Sequence, residues 1–427
     1  MTVSPGDEPR TSLGRAVLDD ADARLRDVDE LLATAYPGDD GSRQPVHTVY
    51  VPADRYREGL AHEWGAAARR LLAEHGGTAA LLAAIGVPDE LRDAVGAQVA
   101  DKLAREPVED LRIDLEDGYG RRPDAEEDGD VVAAARGVRR EIATGRGTPF
   151  VGIRFKCLER VTRARGIRSL DLFVSTLLED GPLPDGLALT LPKVTAVAQV
   201  ETMVMLCAEL ERANRLPAGR LRFEIQVETP QAVLDHHGRT AVAAMVHAGA
   251  GRVTGLHYGT YDYSAALGIA APYQSMAHPA ADHAKQVMQL AAAGTGVRLS
   301  DGSTNILPVG GDDDVRAAWH NHGRLVRRSL ERGFYQGWDL HPGQLPSRFA
   351  ATYAFYREGL APAAGRLAGY LRQAGGAVMD EPATARALAW FLRRGLDCGA
   401  ISGAELTQAG VSVEDVAALV RRPGGDD

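Results

Sequence analysis

Eight short apolar runs, each closing on polar residues and each separated from the next by a longer segment, restrict this chain to few architectures. They are HTVYVP (47–52), LRIDLED (111–117), FVGIRFK (150–156), LALTLPKV (187–194), LRFEIQVET (221–229), RVTGLHYG (252–259), NILPVG (305–310) and GWDLHP (337–342). Segments such as Val131 to Ile142, Ala196 to Arg212 and Val315 to Arg332 carry apolar residues at helical spacing between them. Strand-like runs alternating with helix-like runs predict an α/β chain, a TIM (β/α)8 barrel. The barrel is expected over 46–355. Residues 61–107 are long for one crossover and read as an inserted helical pair. Residues 1–45 form a tail with an amphipathic helix from Ser12 to about Ala35. Residues 356–427 exceed what closure requires and form a C-terminal helical lid or extension. The seventh run is short and contains Pro308.

Charge and cysteine usage narrow the partners. The 427 residues carry 48 Lys plus Arg against 58 Asp plus Glu, a net charge of −10, which gives neither nucleic acid nor an anionic membrane surface an attractive field. The cysteines Cys157, Cys207 and Cys398 are odd in number and widely spaced. They make no disulfide framework and fit a reducing cytoplasm. The N-terminus lacks the apolar core of a signal peptide, and no apolar stretch is long enough to span a bilayer.

In a barrel the chemistry belongs where the strands end. The second run ends in Asp114-Leu115-Glu116-Asp117, the third carries Arg154 and Lys156, and the fourth ends in Pro192-Lys193. The fifth ends in Glu228-Thr229-Pro230, the sixth leads to Asp262, and the eighth ends in Asp339-Leu340-His341-Pro342. Each residue alone has an ordinary structural use, Asp114 as an acceptor of backbone amides, Lys156 as a solvated charge. Together on six strand ends they describe a site, because unpaired charges are costly to bury. Glu228 and Asp262 on neighbouring strands can hold a hard dication such as Mg2+, which takes one or two carboxylates and fills its remaining positions with water and substrate oxygens. A 2-oxo acid chelates such an ion through its carboxylate and carbonyl, which polarises the carbonyl and steadies an enolate. Arg154 offers a planar fork to the carboxylate or the developing oxyanion.

The ordered motifs YVPADR (50–55), DLEDG (114–118), IRF (153–155), LPKV (191–194), VETPQAV (227–233), YDYSAALG (261–268) and HPGQL (341–345) resemble those of the HpcH/HpaI aldolase and citrate lyase β-subunit superfamily, which includes malyl-CoA and citramalyl-CoA lyases. The resemblance implies a TIM barrel that assembles into homo-oligomers, trimers or hexamers, around a Mg2+ (or Mn2+) site. It places the metal on Glu228 and Asp262 and the substrate carboxylate on Arg154. Glu116 and Asp117 would order metal-bound water. In the tail, Gly376-Ala377-Val378-Met379-Asp380-Glu381-Pro382 is similar to a lid sequence of the acyl-CoA lyases, whose Asp acts as acid or base in the neighbouring subunit. The expected catalytic set is therefore Arg154, Asp380 and Asp117, with Arg154, Glu116, Lys193 and Arg55 toward substrate. Asp380 equally suits a cap for the helix that follows.

The chain departs from that pattern in the 61–107 insertion, in the Gly-rich 301–314, and in His257 and Tyr258. A basic patch for coenzyme A is represented only by Arg55 and Lys193. His278, Asp282 and His283 have a helix-like spacing that suits either a second metal or, more simply, a loop and helix cap. Two classes of function follow: a carbon–carbon lyase acting on a 2-oxo acid or β-hydroxyacyl-CoA (or a pyruvate-type aldolase without CoA), and a non-catalytic barrel that binds an organic acid.

Overall fold

The strands of the computed structural model, which describes residues 11–372 and 381–421, form one parallel sheet. They are β1 His47–Pro52, β2 Asp110–Asp114, β3 Phe150–Arg154, β4 Leu187–Leu191, β5 Phe223–Val227, β6 Val253–Tyr258, β7 Arg298–Ser300 and β8 Gly337–Asp339. Hydrogen-bonded neighbours run β7-β6-β5-β4-β3-β2-β1-β8, and a parallel bridge from Ser300 to Gln336 joins the two ends into a closed TIM barrel. Period-two alternation sorts the side chains. Val49, Leu111, Ile113, Ile153, Leu189, Ile225 and Leu256 face outward and are fully covered by helices. Inward residues meet across the barrel, as Gln226 of β5 does Tyr50 of β1, and Arg112 of β2 does Glu224 of β5.

The seventh strand is not 305–310 but Arg298–Ser300. Pro308, Gly310 and Gly311 do not hold a ladder, and residues 301–311 instead cross the barrel mouth. Ser303 N–H donates to Thr260 Oγ1, Asn305 N–H to the Tyr261 hydroxyl, and Gln344 Nε2 to the Thr304 carbonyl. The insertion holds three helices, not a pair: Leu60–Glu74, Gly77–Ile85 and Asp89–Arg105. Their apolar faces (Leu72, Leu81, Val95, Leu103) share a cluster with Phe349 and Tyr353 of the helix Gln344–Leu371, and with Leu392, Leu406 and Val416 of the C-terminal helices. Among the described residues no helix is long and apolar enough to cross a membrane.

A cavity of about 770 Å3 opens at the floor of the barrel, where the strands begin. The charged side chains that β2, β5 and β6 turn into it pair with one another. Arg112 bonds Asp110, Thr190 and Glu224, and His257 Nε2 lies 3.2 Å from Glu224. Glu116, Asp117, Glu228 and Asp262 gather instead at the mouth around Lys193, and a smaller cavity lies beside them.

Candidate active site

Asp114, the last residue of β2, organises one wall. Its carboxylate accepts the backbone N–H groups of Glu116 (3.0 Å) and Gly118 (3.1 Å). Gly118 permits this, since a Cβ there would lie 2.7 Å from Asp114 Oδ2. The same carboxylate takes Arg154 Nε at 2.7 Å and Nη2 at 2.8 Å, a bidentate pair. Burial alone would weaken the guanidinium's hold on its proton, but the charge of Asp114 outweighs it and Arg154 stays ionised. Its cation sits 4.5 Å from the Tyr50 ring and 5.2 Å from that of Trp338. The pair with Asp114 uses Nε and Nη2, so Nη1 is the nitrogen left to donate to a ligand.

Lys193 ties the opposite wall together. Its backbone is left-handed (φ 50°), and its N–H donates to Glu228 Oε1 at 2.8 Å. Its ammonium reaches Asp262 Oδ2 at 2.9 Å and Asp117 Oδ2 at 3.0 Å, with Glu116 Oε2 at 3.7 Å, too long for a hydrogen bond. One residue therefore anchors both carboxylates expected to bind metal. Burial would lower the Lys193 pKa, but Glu228, Asp262, Glu116 and Asp117 raise it above its ordinary value. The surrounding carboxylates thus hold the amine in its charged form.

Glu228, just beyond β5, is 2% exposed. Gly259 cradles it, since a Cβ there would lie 2.3 Å from Glu228 Cβ and 2.5 Å from Oε2. Burial pushes the Glu228 pKa up to about 7, and the charge of Asp262 adds to the rise against Arg154 and Lys193. Asp262 stands in the first turn of the helix Thr260–Ala266. Beside them Glu116 is pushed up to about 8, first by burial and then by its hydrogen bond to Asp117, whose own pKa is lowered in return. Glu116 Oε2 is buried without a hydrogen-bond partner among the described residues. The cluster thus has four carboxyls around one ammonium, with Arg154 committed to Asp114. Burial first, and then the neighbouring acids, make Glu228 and Glu116 the two carboxyls that give up their protons least readily. That donor set, hard oxygens in excess of cations, suits a hard divalent ion. Among the described residues no three His, Cys, Asp or Glu side chains surround one position.

The other expected residues are placed as follows. Arg55 is exposed on the turn Ala53–Arg55 and lines a cavity of about 420 Å3 with Tyr50, Trp64, Arg57, Arg70 and Leu340. Asp380 lies outside the described residues. Lys156 is no mouth residue; its ammonium bonds the Leu115 carbonyl and Glu127, both at 2.7 Å. Asp339 is fully buried among His47 and Arg348 behind the mouth. His278 caps the helix Pro279–Ala292 by accepting Ala280 N–H. Asp282 pairs with Arg328 and Arg332, and His283 is exposed, so the three form no metal site. The sequence reading missed Tyr50, Trp338 and Gln226, whose buried Oε1 has no partner among the described residues. The signal was available for two of them. Tyr50 and Gln226 lie two residues before Pro52 and Glu228 on the same inward face.

The sequence profile of one family, described as "Domain of unknown function (DUF6986)", matches residues 25–423. No curated protein matches this chain. Solved structures similar to it include protein CitE from Mycobacterium tuberculosis in complex with magnesium, acetoacetate and coenzyme A (19% identity, TM-score 0.47, 83% of this chain and 99% of that one). Citrate lyase β subunit from M. tuberculosis, complexed with oxaloacetate and magnesium, is 18% identical with a TM-score of 0.41 over 73% of this chain and 98% of that one. Malate synthase from Haloferax volcanii is 16% identical with a TM-score of 0.47 over 72% and 74%. These likenesses are of fold.

Proposed function

The chain belongs to the DUF6986 family, a domain of unknown function, and from that premise we propose that it is a Mg2+-dependent carbon–carbon lyase whose substrate is a 2-oxo acid or a β-hydroxyacyl-CoA. The observation that carries this reading is the common anchoring of Glu228 and Asp262 on Lys193, in a well that has more carboxylates than cations. Glu228 and Asp262 would hold the ion, and Glu116 and Asp117 would orient water beside it. Mg2+ supplies, when bound, a Lewis acid that draws electron density from a carbonyl oxygen.

The chain's own groups do the rest. Arg154, fixed by Asp114, presents Nη1 to the substrate carboxylate or to the developing enolate oxygen, and its rigidity means little reorganises as charge moves. The rings of Tyr50 and Trp338 cover the guanidinium and keep water from it. Asp380 is the proposed group that moves a proton to and from the carbon next to the carbonyl, while Glu116 holds a proton shared with Asp117. The cavity lined by Arg55, Arg57, Arg70 and Trp64 supports an acyl-CoA substrate, offering cations and an aromatic face next to Tyr50. The ion pair of Arg57 with Glu63 withdraws one of those cations, which favours the second reading, a CoA-independent pyruvate-type aldolase.

The test is exchange of methyl protons for deuterium in pyruvate and in acetyl-CoA, followed by NMR. Exchange is expected with at least one compound, dependent on added Mg2+ and lost in Asp262→Ala. Absence of exchange with both compounds in the unaltered protein would overturn the enzyme reading in favour of a binding barrel.

A further inference from the structure

The helix Arg15–Ala35 spans 21 residues and buries none of them. Val17, Leu18, Leu25, Val28, Leu31 and Leu32 are each 45–54% exposed. An isolated helix of this length is marginal in water, and helices of proteins owe most of their stability to a packed apolar face. Leu18, Ala21, Leu25, Val28, Leu32 and Ala35 recur at alternating steps of three and four, the a and d seam of a coiled coil. Arg15, Asp22 and Asp29 then occupy the e positions, and Val17, Arg24 and Leu31 the g positions.

From this register we infer that the helix pairs with the same helix of a second copy as a parallel two-stranded coiled coil. The flanking charges choose the occupant and the direction. In a parallel pair each Arg24 faces the other copy's Asp29, giving two symmetric opposite-charge contacts. In an antiparallel pair, Asp22 would face the other copy's Asp29 twice, acid on acid. Alanines at two of the d positions let the backbones approach closely. The seam continues to Ala35, where the chain enters the barrel floor beside Tyr36 and His247, so the pairing fixes two barrels at one end of a short stalk. This inference stands apart from the proposed chemistry, since none of its residues lies at the mouth.

The experiment uses the full chain. Cys157, Cys207 and Cys398 are buried, so Leu18→Cys and Leu32→Cys can each be oxidised with glutathione disulfide and read on a non-reducing denaturing gel. Each variant is expected to cross-link to twice the chain mass, because equal a positions face each other only in a parallel, in-register pair. Leu25→Glu with Leu32→Glu is expected to halve the number of chains per particle, with an unchanged melting curve for the barrel. Arg24→Asp and Asp29→Arg are each expected to weaken self-association and to associate with one another when mixed. Failure of both cysteine variants to cross-link, or an assembly unchanged by the paired glutamates, would overturn the inference. So would indifference to the charge exchange.

Discussion

Glu228→Gln is expected to slow Mg2+-dependent proton exchange by about 10²–10³-fold, since Lewis-acid stabilisation of a forming enolate is worth several kcal/mol. The same substitution is expected to make the metal-free protein more stable, by about 1–3 kcal/mol above pH 7. Both effects come from one cause. Glu228 is buried beside Asp262, and its folded pKa of about 7 exceeds the ordinary carboxylate value. The folded state therefore binds more protons than the unfolded state, and metal-free stability falls as pH rises from about 4.5 to about 7. Removing the charge removes the Glu228 share of that slope, while Glu116, also pushed up, keeps its own. Thermal melts with and without Mg2+ across this range check it. An unchanged slope in the variant, or lower stability without metal, would contradict the account. A carboxylate kept at a position where it weakens the empty fold is explicable by a cation that it serves.

Asp339→Asn has the opposite sign and a larger effect. Asp339 is fully buried, takes Arg348 Nη2 at 2.7 Å and His47 Nδ1 at 2.9 Å, and lies 3.1 Å from His322 Nε2. Burial would raise its pKa, but Arg348 and the two histidines hold it well below its ordinary value. Its contribution is therefore present above the unfolded carboxylate range and lost as pH falls through the folded value. Neutralising it leaves Arg348 as a buried, uncompensated cation, and a loss of about 3–5 kcal/mol is expected. For a chain of this length that lowers Tm by roughly 4–6 °C. Replacing both partners, Asp339→Leu with Arg348→Met, is expected to recover part of the loss. A single variant as stable as the parent would show that this network does not support β8.

The barrel was legible because its period is local. Outward residues such as Ile113, Ile153 and Ile225 mark strands whatever lies on the other face. The seventh strand escaped because Arg298–Ser300 contributes three residues with an arginine first, whereas NILPVG is more apolar yet broken by Pro308. The pairing of Arg112 with Glu224 spans 112 positions, and no window of sequence contains both. The strand-end rule brought Glu116, Asp117, Arg154, Lys193, Glu228 and Asp262 to one mouth. It did not reveal their arrangement. That Arg154 is clamped by Asp114, or that the Lys193 backbone turns left-handed to serve Glu228, depends on neighbours supplied by other strands.

The most direct measurement is Mn2+ uptake by the unaltered protein, by Glu228→Gln and by Asp262→Asn, followed by the electron paramagnetic resonance of the free ion at pH 8. One ion bound per chain is expected, displaced by Mg2+, with uptake lost in each variant. Uptake that survives both substitutions, or none in the unaltered protein, would contradict it.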